Sequence, residues 1–333
     1  MKICLYDHHN YVIPTDGIGG VIGLFQILCN ELKKYDVELT IIVNDMSTLQ
    51  DEKNLKVVKL PFSEIENIRY GRTPVIKYFD GDIFYSNSSG RHVNFNFQNF
   101  NGKWVSTCHG CQEWVGGSQC QIFVSNNQLL QHLRDGYFDS FSNNYKVIHV
   151  SVDTEKLYPT DGQHDRIVWM GRIDGAKAER LYNIAKNSKE KILMAGWYEK
   201  EWEWLFQKIL STNNVEWVGE IKGDVAKREF YGMAKLSIHC STFEDPCPTS
   251  IIESQSCGVP VITYANGSMN EICYYKNLIF SNFDNFIFHL NSFEKSNDFN
   301  RYELHNYVKN FFSAEKYGLK YFETFKEMIH YEN

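Results

Sequence analysis

The sequence lacks any run of apolar residues as long as the roughly 18 that a membrane-spanning helix needs. Its first apolar stretch, Lys2 to Tyr6, leads directly into polar residues and is too short for the core of a signal peptide. Positive charge is also scarce, because 34 Lys and Arg residues face 41 Asp and Glu residues, for a net charge of −7. Such a balance disfavours a nucleic-acid backbone as the partner. We therefore expect a cytoplasmic protein that does not bind nucleic acid.

Metal-binding and redox patterns are rare as well. One C-x-x-C runs from Cys108 to Cys111, without the second cysteine pair or the H-x-x-x-H that would complete a zinc site. The triplet Asp80-Gly81-Asp82 has metal-binding groups, but it occupies a turn that enters a predicted strand. No G-x-G-x-x-G follows a predicted strand, which disfavours a dinucleotide-dependent dehydrogenase. We expect no cofactor, no required metal and reduced cysteines.

Short apolar segments, in contrast, are abundant. The 333 residues are 43% hydrophobic, which suits two domains of about 150 residues each. Segments rich in β-branched residues alternate with helical patterns, as is typical of parallel α/β proteins. The predicted strands are 2–6, 37–43, 83–86, 104–108, 121–125, 146–150, 167–170, 191–195, 215–218, 236–239 and 259–263. The predicted helices are 20–34, 178–187, 199–210, 224–234, 248–257 and 313–330.

The alternation restarts after a polar stretch, Asp153 to Pro159, that ends in proline. This break predicts an α/β protein of two Rossmann-like, doubly wound domains that face a cleft, with the boundary near residue 150. In open α/β sheets, ligands bind beyond the carboxyl ends of the strands. We expect the functional site there.

The most informative stretch extends from Ser241 to Ile262. A predicted strand ends before it, two acids follow, and a helix begins at Pro248, a residue suited to a first helical turn. The amides of residues 249–251 should be free to bind an anion, because a helix start combines unpaired donors with the positive end of the helix dipole. Taken alone, Asp245 is better interpreted as a loop acid or helix cap, and Glu253 as a solvated helix residue.

This stretch resembles the signature of the retaining glycosyltransferases of family four, the glycosyl transferases group 1, which have the GT-B fold of two Rossmann-like domains. In that signature an acid, seven residues and a glutamate precede A-x-x-C-G-x-P-V, as Asp245, Glu253 and the run Cys257 to Val261 do here. Residues 267–271 are similar to the family's G-G-x-x-E, and residues 171–177 to its G-R-x-x-x-x-K.

The first half of the chain resembles the family at isolated points. Gly19-Gly20 is similar to the glycine loop near the donor phosphates, and His109 to a strand-end histidine that lines the donor sugar. The run 150–159 is similar to the segment that joins the two domains. The family's last helix crosses back to the first domain, so the resemblance implies an acceptor domain of residues 1–150 and 314–333 and a donor domain of residues 151–313.

The resemblance also implies a role for each site residue. Arg172 and Lys177 would bind the diphosphate, Glu253 the ribose hydroxyls and Asp245 the hydroxyls of the donor sugar. The family usually has Glu where Asp245 stands, so the neighbouring Glu244 is an alternative. The implied catalytic residues are His109, Asp245, Arg172 and Lys177, and the implied donor-binding residues are Gly19, Gly20, Gly171, Ile221, Glu244, Thr249, Ser250, Ile251 and Glu253.

The implied reaction is sugar transfer from a nucleotide diphosphate sugar (a UDP- or GDP-sugar) to a hydroxyl of a glycan or glycolipid, with retention at the anomeric carbon. No enzymic nucleophile is expected, because in the family the leaving phosphate is thought to take the acceptor's proton. A lipid-linked acceptor would allow peripheral contact with a membrane. The alternatives are a sugar-nucleotide 2-epimerase of the same fold and a non-catalytic protein that binds sugar nucleotides.

Overall fold

The chain forms two compact units in a computed structural model that describes residues 1–14, 20–88, 93–110, 117–136, 144–293 and 299–330. One unit comprises residues 1–150 together with 314–333, and the other comprises residues 151–313. All counts of strands and helices below refer to the described residues.

The first unit is built on a parallel sheet. Its described strands are β1 (Lys2–Tyr6), β2 (Glu38–Asn44), β3 (Leu55–Leu60), β4 (Ile83–Ser86), β5 (Lys103–Cys108), β6 (Cys120–Phe123) and β7 (Tyr145–Val147). They pair in the order β3-β2-β1-β4-β5-β6-β7. The central strand β4 is buried along its whole length, as expected where helices cover both faces of a parallel sheet. The described helices before residue 150 are α1 (Gly20–Leu32), α2 (Phe62–Arg69) and α3 (Asn126–Asp135).

The second unit repeats this architecture. Its described strands are β8 (Arg166–Met170), β9 (Ile192–Ala195), β10 (Val215–Trp217), β11 (Ala234–His239), β12 (Val261–Tyr264) and β13 (Ile279–Phe280), and they pair in the order β10-β9-β8-β11-β12-β13. Its described helices are α4 (Glu179–Asn187), α5 (Glu203–Leu210), α6 (Asp224–Gly232), α7 (Thr249–Ser256), α8 (Met269–Ile272), α9 (Phe283–Asn291) and α10 (Arg301–Phe311). All described strand pairs in both sheets are parallel, which confirms the predicted fold class of two Rossmann-like α/β domains.

The last helix, α11 (Ala314–Ile329), belongs to the first unit and packs on α1 and on strands β4 and β5. Gly318 makes this crossing close, because a Cβ at that position would overlap the side chain of Glu31. Tyr321 joins the helix to the sheet, since its hydroxyl lies 2.8 Å from Thr107 Oγ1. The end of the chain therefore completes the core of the N-terminal unit.

Residues 95–100, which the sequence pattern does not assign to an element, form part of an aromatic cluster in the first unit. The rings of Phe95 and Phe97 lie 5.3 and 5.4 Å from that of Trp104, and Phe95 also meets Tyr6 edge-on. Aromatic rings bury a large area without needing regular backbone structure. The segment therefore contributes to the core as a loop.

Helix α3 is absent from the sequence prediction because its apolar face points outward. Leu130 and Leu133 are 63% and 48% exposed, whereas Gln128 and His132 are buried. The Gln128 amide donates to the carbonyls of Cys108 and Gly110 at 3.2 and 2.6 Å. Polar contacts with the neighbouring strand-end loop, rather than hydrophobic periodicity, thus fix this helix.

None of the helices that the structure describes combines the length and the apolar character needed to cross a bilayer.

Replacing Phe325 by Ala should destabilise the first unit. Phe325 is fully buried in α11 and packs on Tyr85 and Tyr321, so its removal should lower the free energy of unfolding by about 3–5 kcal/mol. Urea denaturation followed by circular dichroism measures the change. The matched control is Phe288→Ala, because Phe288 is 67% exposed and its loss should change stability by less than about 0.5 kcal/mol. Equal effects of the two variants would contradict the packing of α11 described above.

Candidate functional site

The candidate site of the second unit lies where strand order reverses, at the carboxyl ends of β8 and β11. Hydrogen bonds join the loops along this edge: the Gly171 amide donates to Ala195 O at 3.1 Å, and the Gly196 amide to Gly219 O at 2.9 Å. Gly196 has a φ of 145° and its backbone lies against that of Gly171, an approach that only glycine permits. The loop that contains Ile221 follows Gly219 at the same edge.

Asp245 lies at the centre of a buried polar cluster. Its carboxylate contacts the Lys177 ammonium and accepts a hydrogen bond of 3.2 Å from Ser241 Oγ. His239 Nε2, at the end of β11, lies 3.5 Å from the same carboxylate oxygen. Asp245 is only 4% exposed, and a buried charge of this kind requires partners. Lys177 and Asp245, which the sequence predicts to act at one site, are therefore brought into direct contact.

Arg172 has an acidic partner as well. Its Nε contacts the carboxylate of Asp174, which also accepts a hydrogen bond of 2.8 Å from the Lys177 amide. Asp174 is buried, whereas the Arg172 side chain is about half exposed. One acid thus orients both predicted diphosphate-binding residues while leaving the guanidinium accessible.

The two candidate acids, Glu244 and Asp245, have different surroundings. Glu244 is exposed and accepts a hydrogen bond of 2.7 Å from the Gly267 amide. Asp245 is buried beside Lys177. The structure therefore places the Asp245 carboxylate, and not that of Glu244, within the cluster of charged residues.

Helix α7 begins at Thr249, one residue after the predicted start at Pro248. The amides of Thr249 and Ser250 have no acceptor among the residues that the structure describes. The expectation of a free amide at Ile251 is wrong, because its N–H donates to Pro248 O at 3.3 Å as the first turn closes. An anion at this helix start would meet two amides rather than three.

A glutamate on a helix is usually solvated, but Glu253 is not. It is buried on α7, and its Oε1 lies 2.6 Å from the ammonium of Lys227 on α6. The Glu253 carboxylate raises the pKa of Lys227 above its ordinary value, against the opposing effect of burial. The two residues form a buried ion pair.

In the first unit, His109 directly follows β5, and its Nε2 lies 3.1 Å from Asn87 Oδ1. Burial, with a smaller contribution from His9, lowers the pKa of His109 to about 4. Gly20 is the first residue of α1. Gly19 and Cys111, which the sequence also singles out, lie outside the described residues.

Two groups of metal-ligand type have partners within the protein. Asp82 of the acidic triplet accepts a hydrogen bond of 2.7 Å from the Lys2 amide and so joins the turn to β1. Among the described residues, Asp7, His8 and His9 form a cluster whose ligand atoms all lie within 4.8 Å of one another. In this cluster His9 Nδ1 is 2.7 Å from Asp7 Oδ1. None of the sequence motifs described above includes these three residues.

Sequence reasoning also missed Asp174, Ser241, His239 and Lys227. Asp174 and Ser241 occur inside segments already chosen for their motifs, and His239 ends a predicted strand, so position alone could have indicated these three. Lys227 gave no such signal, because it lies on an ordinary amphipathic helix 26 residues before Glu253.

Comparison with known proteins identifies the fold. Residues 162–302 match the family model of glycosyl transferases group 1, which covers less than half of the chain. No match was found among curated protein sequences.

Solved glycosyltransferases have a similar fold over nearly the full length of the chain. The chain is similar to sucrose-phosphate synthase from Thermosynechococcus elongatus, with a TM-score of 0.74 and 14% identity over 99% of both chains. It is similar to a glycosyltransferase from Rickettsia africae, with a TM-score of 0.72 and 17% identity over 99% of both chains. It is also similar to HepE from Anabaena in complex with UDP-glucose, with a TM-score of 0.69 and 14% identity over 98% of this chain and 100% of that chain. The protein therefore has the GT-B glycosyltransferase fold.

The buried histidine of the cluster predicts loss of stability in mild acid. Burial lowers the pKa of His239 to about 4, although Asp245 opposes the shift. The unfolded chain, with an ordinary histidine pKa of about 6.5, binds this proton at higher pH than the native protein does. Stability should therefore fall as the pH drops from about 6.5 towards 4. We expect His239→Gln to reduce the decrease in melting temperature between pH 7 and pH 4.5, measured by scanning fluorimetry.

The control for this experiment is His330→Gln, since His330 is exposed and should not alter the pH dependence. If His239→Gln and His330→Gln show the same decrease as the wild type, His239 is not the group that binds the proton.

Proposed function

We propose that the protein is a retaining glycosyltransferase that moves a sugar from a nucleotide diphosphate sugar to a hydroxyl of a glycan or glycolipid. The observation that carries the proposal is the convergence of Arg172, Lys177 and Asp245 at the strand-end edge of the second unit, inside the region that matches the glycosyl transferases group 1 model. The similarity to HepE in complex with UDP-glucose makes a UDP-sugar the first donor to test.

The diphosphate is the group that the cations bind. Negative charge grows on it as the glycosidic bond breaks, so fixed positive groups lower the barrier. Arg172, with its exposed guanidinium, and Lys177 supply this charge, and the amides of Thr249 and Ser250 add to it at the helix start. These cations do the work that a metal ion does in other transferases, so transfer requires no metal and no cofactor.

The carboxylates bind the rest of the donor. Asp245 accepts from hydroxyls of the donor sugar, and its contact with Lys177 joins sugar recognition to diphosphate binding. Glu253 accepts from the two ribose hydroxyls, since an ionised carboxylate is an acceptor only. The base lies near the backbone of Ile221, with Gly171 close to the donor.

The acceptor oxygen bonds to the anomeric carbon on the face from which the diphosphate leaves, as the bond between that carbon and the phosphate oxygen breaks. The acceptor's proton passes to the leaving phosphate, so no side chain acts as a nucleophile. The unit of residues 1–150 and 314–333 binds the acceptor, with Gly20 and His109 contributing to donor binding. A lipid-linked acceptor would bring this cytoplasmic enzyme into contact with a membrane surface.

A nucleotide panel tests the proposal. UDP, GDP and ADP, with their glucose and N-acetylglucosamine derivatives, are compared for thermal stabilisation of the protein and then for slow hydrolysis in EDTA. We expect one nucleotide series to raise the melting temperature and its sugar derivative to be hydrolysed without added metal. Stabilisation without turnover would favour a non-catalytic binding protein, and interconversion of 2-epimers with release of free nucleotide would favour an epimerase. Failure of every nucleotide to stabilise the protein would refute donor binding.

Isosteric changes of the two neighbouring acids test the assignment of the sugar-binding carboxylate. Asp245→Asn removes the charge that faces Lys177, and we expect donor hydrolysis to fall by roughly 100-fold. Glu244→Gln alters an exposed side chain and should change the rate by less than about threefold. Steady-state kinetics with the donor identified above measures both effects. The opposite result would assign the role to Glu244.

A further inference from the structure

The buried contact between Lys227 and Glu253 joins α6 to α7. Both helices begin after loops at the strand-end edge of the second unit. Lys227 Nζ lies 2.6 Å from Glu253 Oε1, and the side chains are only 15% and 10% exposed. Within the described chain, Glu253 forms no other ion pair. Neither residue contributes to the cluster around Asp245.

Such a pair is costly unless both partners are present. Removing two charges from water carries a large desolvation penalty, which only a close and well-oriented contact offsets. Loss of one partner leaves the other charge buried and unpaired. The position of the Glu253 carboxylate therefore depends on Lys227.

We propose that Lys227 is a positioning residue for ribose recognition, a role that rests on the proposed function of Glu253. Its ammonium holds Oε1, so that Oε2 is presented to the two hydroxyls of the ribose. Lys227 itself does not touch the nucleotide.

The hydrogen-bonding capacity of the Glu253 carboxylate is sufficient for both partners, the Lys227 ammonium and the ribose hydroxyls. Each carboxylate oxygen has two lone pairs, and the lysine uses one of those on Oε1. The second oxygen remains available to a vicinal diol, which brings two O–H donors. Two neighbouring titratable groups, Tyr231 and Cys257, carry no competing charge at neutral pH, because burial raises the pKa of Tyr231 and raises that of Cys257 to about 12. The carboxylate of Asp224 also acts on Lys227, but more weakly than that of Glu253.

The inference predicts that Lys227 controls discrimination between ribose and deoxyribose. The experiment measures the dissociation constants of a nucleoside diphosphate and its 2′-deoxy counterpart by calorimetry, with UDP and 2′-deoxy-UDP first and the GDP and ADP pairs in parallel. The wild type should prefer the ribonucleotide by roughly 10-fold or more, as expected for a hydrogen bond to a charged group. Lys227→Met should weaken ribonucleotide binding to the level of the deoxynucleotide and leave deoxynucleotide binding within about twofold, so that the preference disappears.

The chain offers a matched control in Lys235. Its side chain is 13% exposed and its ammonium lies 3.2 Å from Glu190 Oε1, so it too is a largely buried lysine in an ion pair. Lys235→Met should leave the ribose preference unchanged even where it lowers the melting temperature. Lys227→Arg keeps the charge and should restore part of the preference. If Lys227→Met does not fold, Lys227→Gln serves in its place.

The outcomes separate the inference from the proposed function. If Lys227→Met weakens ribo- and deoxynucleotide equally, its role is merely structural and the inference is wrong. If the wild type binds nucleotides without distinguishing ribose, the inference fails while donor binding stands. If the wild type binds no nucleoside diphosphate, both fail. Loss of the preference in Lys227→Met but not in Lys235→Met supports the inference.

Discussion

Parallel strand pairing is the constraint on which the rest of the structure depends. In both sheets every described strand runs in the same direction, so each loop that follows a strand emerges at one edge. Residues that are far apart in the sequence, such as Lys177 and Asp245, therefore meet without any local signal that would pair them. The glycines at positions 171, 196 and 219 allow the loops of this edge to hydrogen-bond to one another and fix their relative positions.

Charge pairing then determines how the site can be used. In the structure each cation of the second unit's site faces a carboxylate: Arg172 faces Asp174, and Lys177 faces Asp245. A lysine has three donors and an arginine five, so these contacts do not exhaust their capacity for a diphosphate. The acids orient the cations before any ligand arrives, which reduces the reorganisation that binding requires.

The alternation of apolar and helical segments was sufficient to predict the fold class and most of the strands, because burial on both faces of a parallel sheet demands continuous apolar runs. Elements whose stability has another source escaped prediction. Strand β3 carries two lysines at the edge of its sheet, and α3 buries Gln128 and His132 while exposing leucines. At the site, the motifs drew attention to Arg172, Lys177, Asp245 and Glu253. They also predicted a free amide at Ile251, but this N–H donates to Pro248 O in the first helical turn.

The amino-acid sequence is sufficient to predict the two parallel α/β units, the strand ends at which chemistry is expected and the residue types placed there. These properties follow from periodicity and from motifs that are local in the chain. The pairing of acids with cations becomes visible in the folded chain, where Asp245 rather than Glu244 lies beside Lys177, and Glu253 lies beside Lys227. The physical reason is that an ion pair depends on distance and burial between separate elements, and neither quantity is encoded in the spacing of residues along the chain.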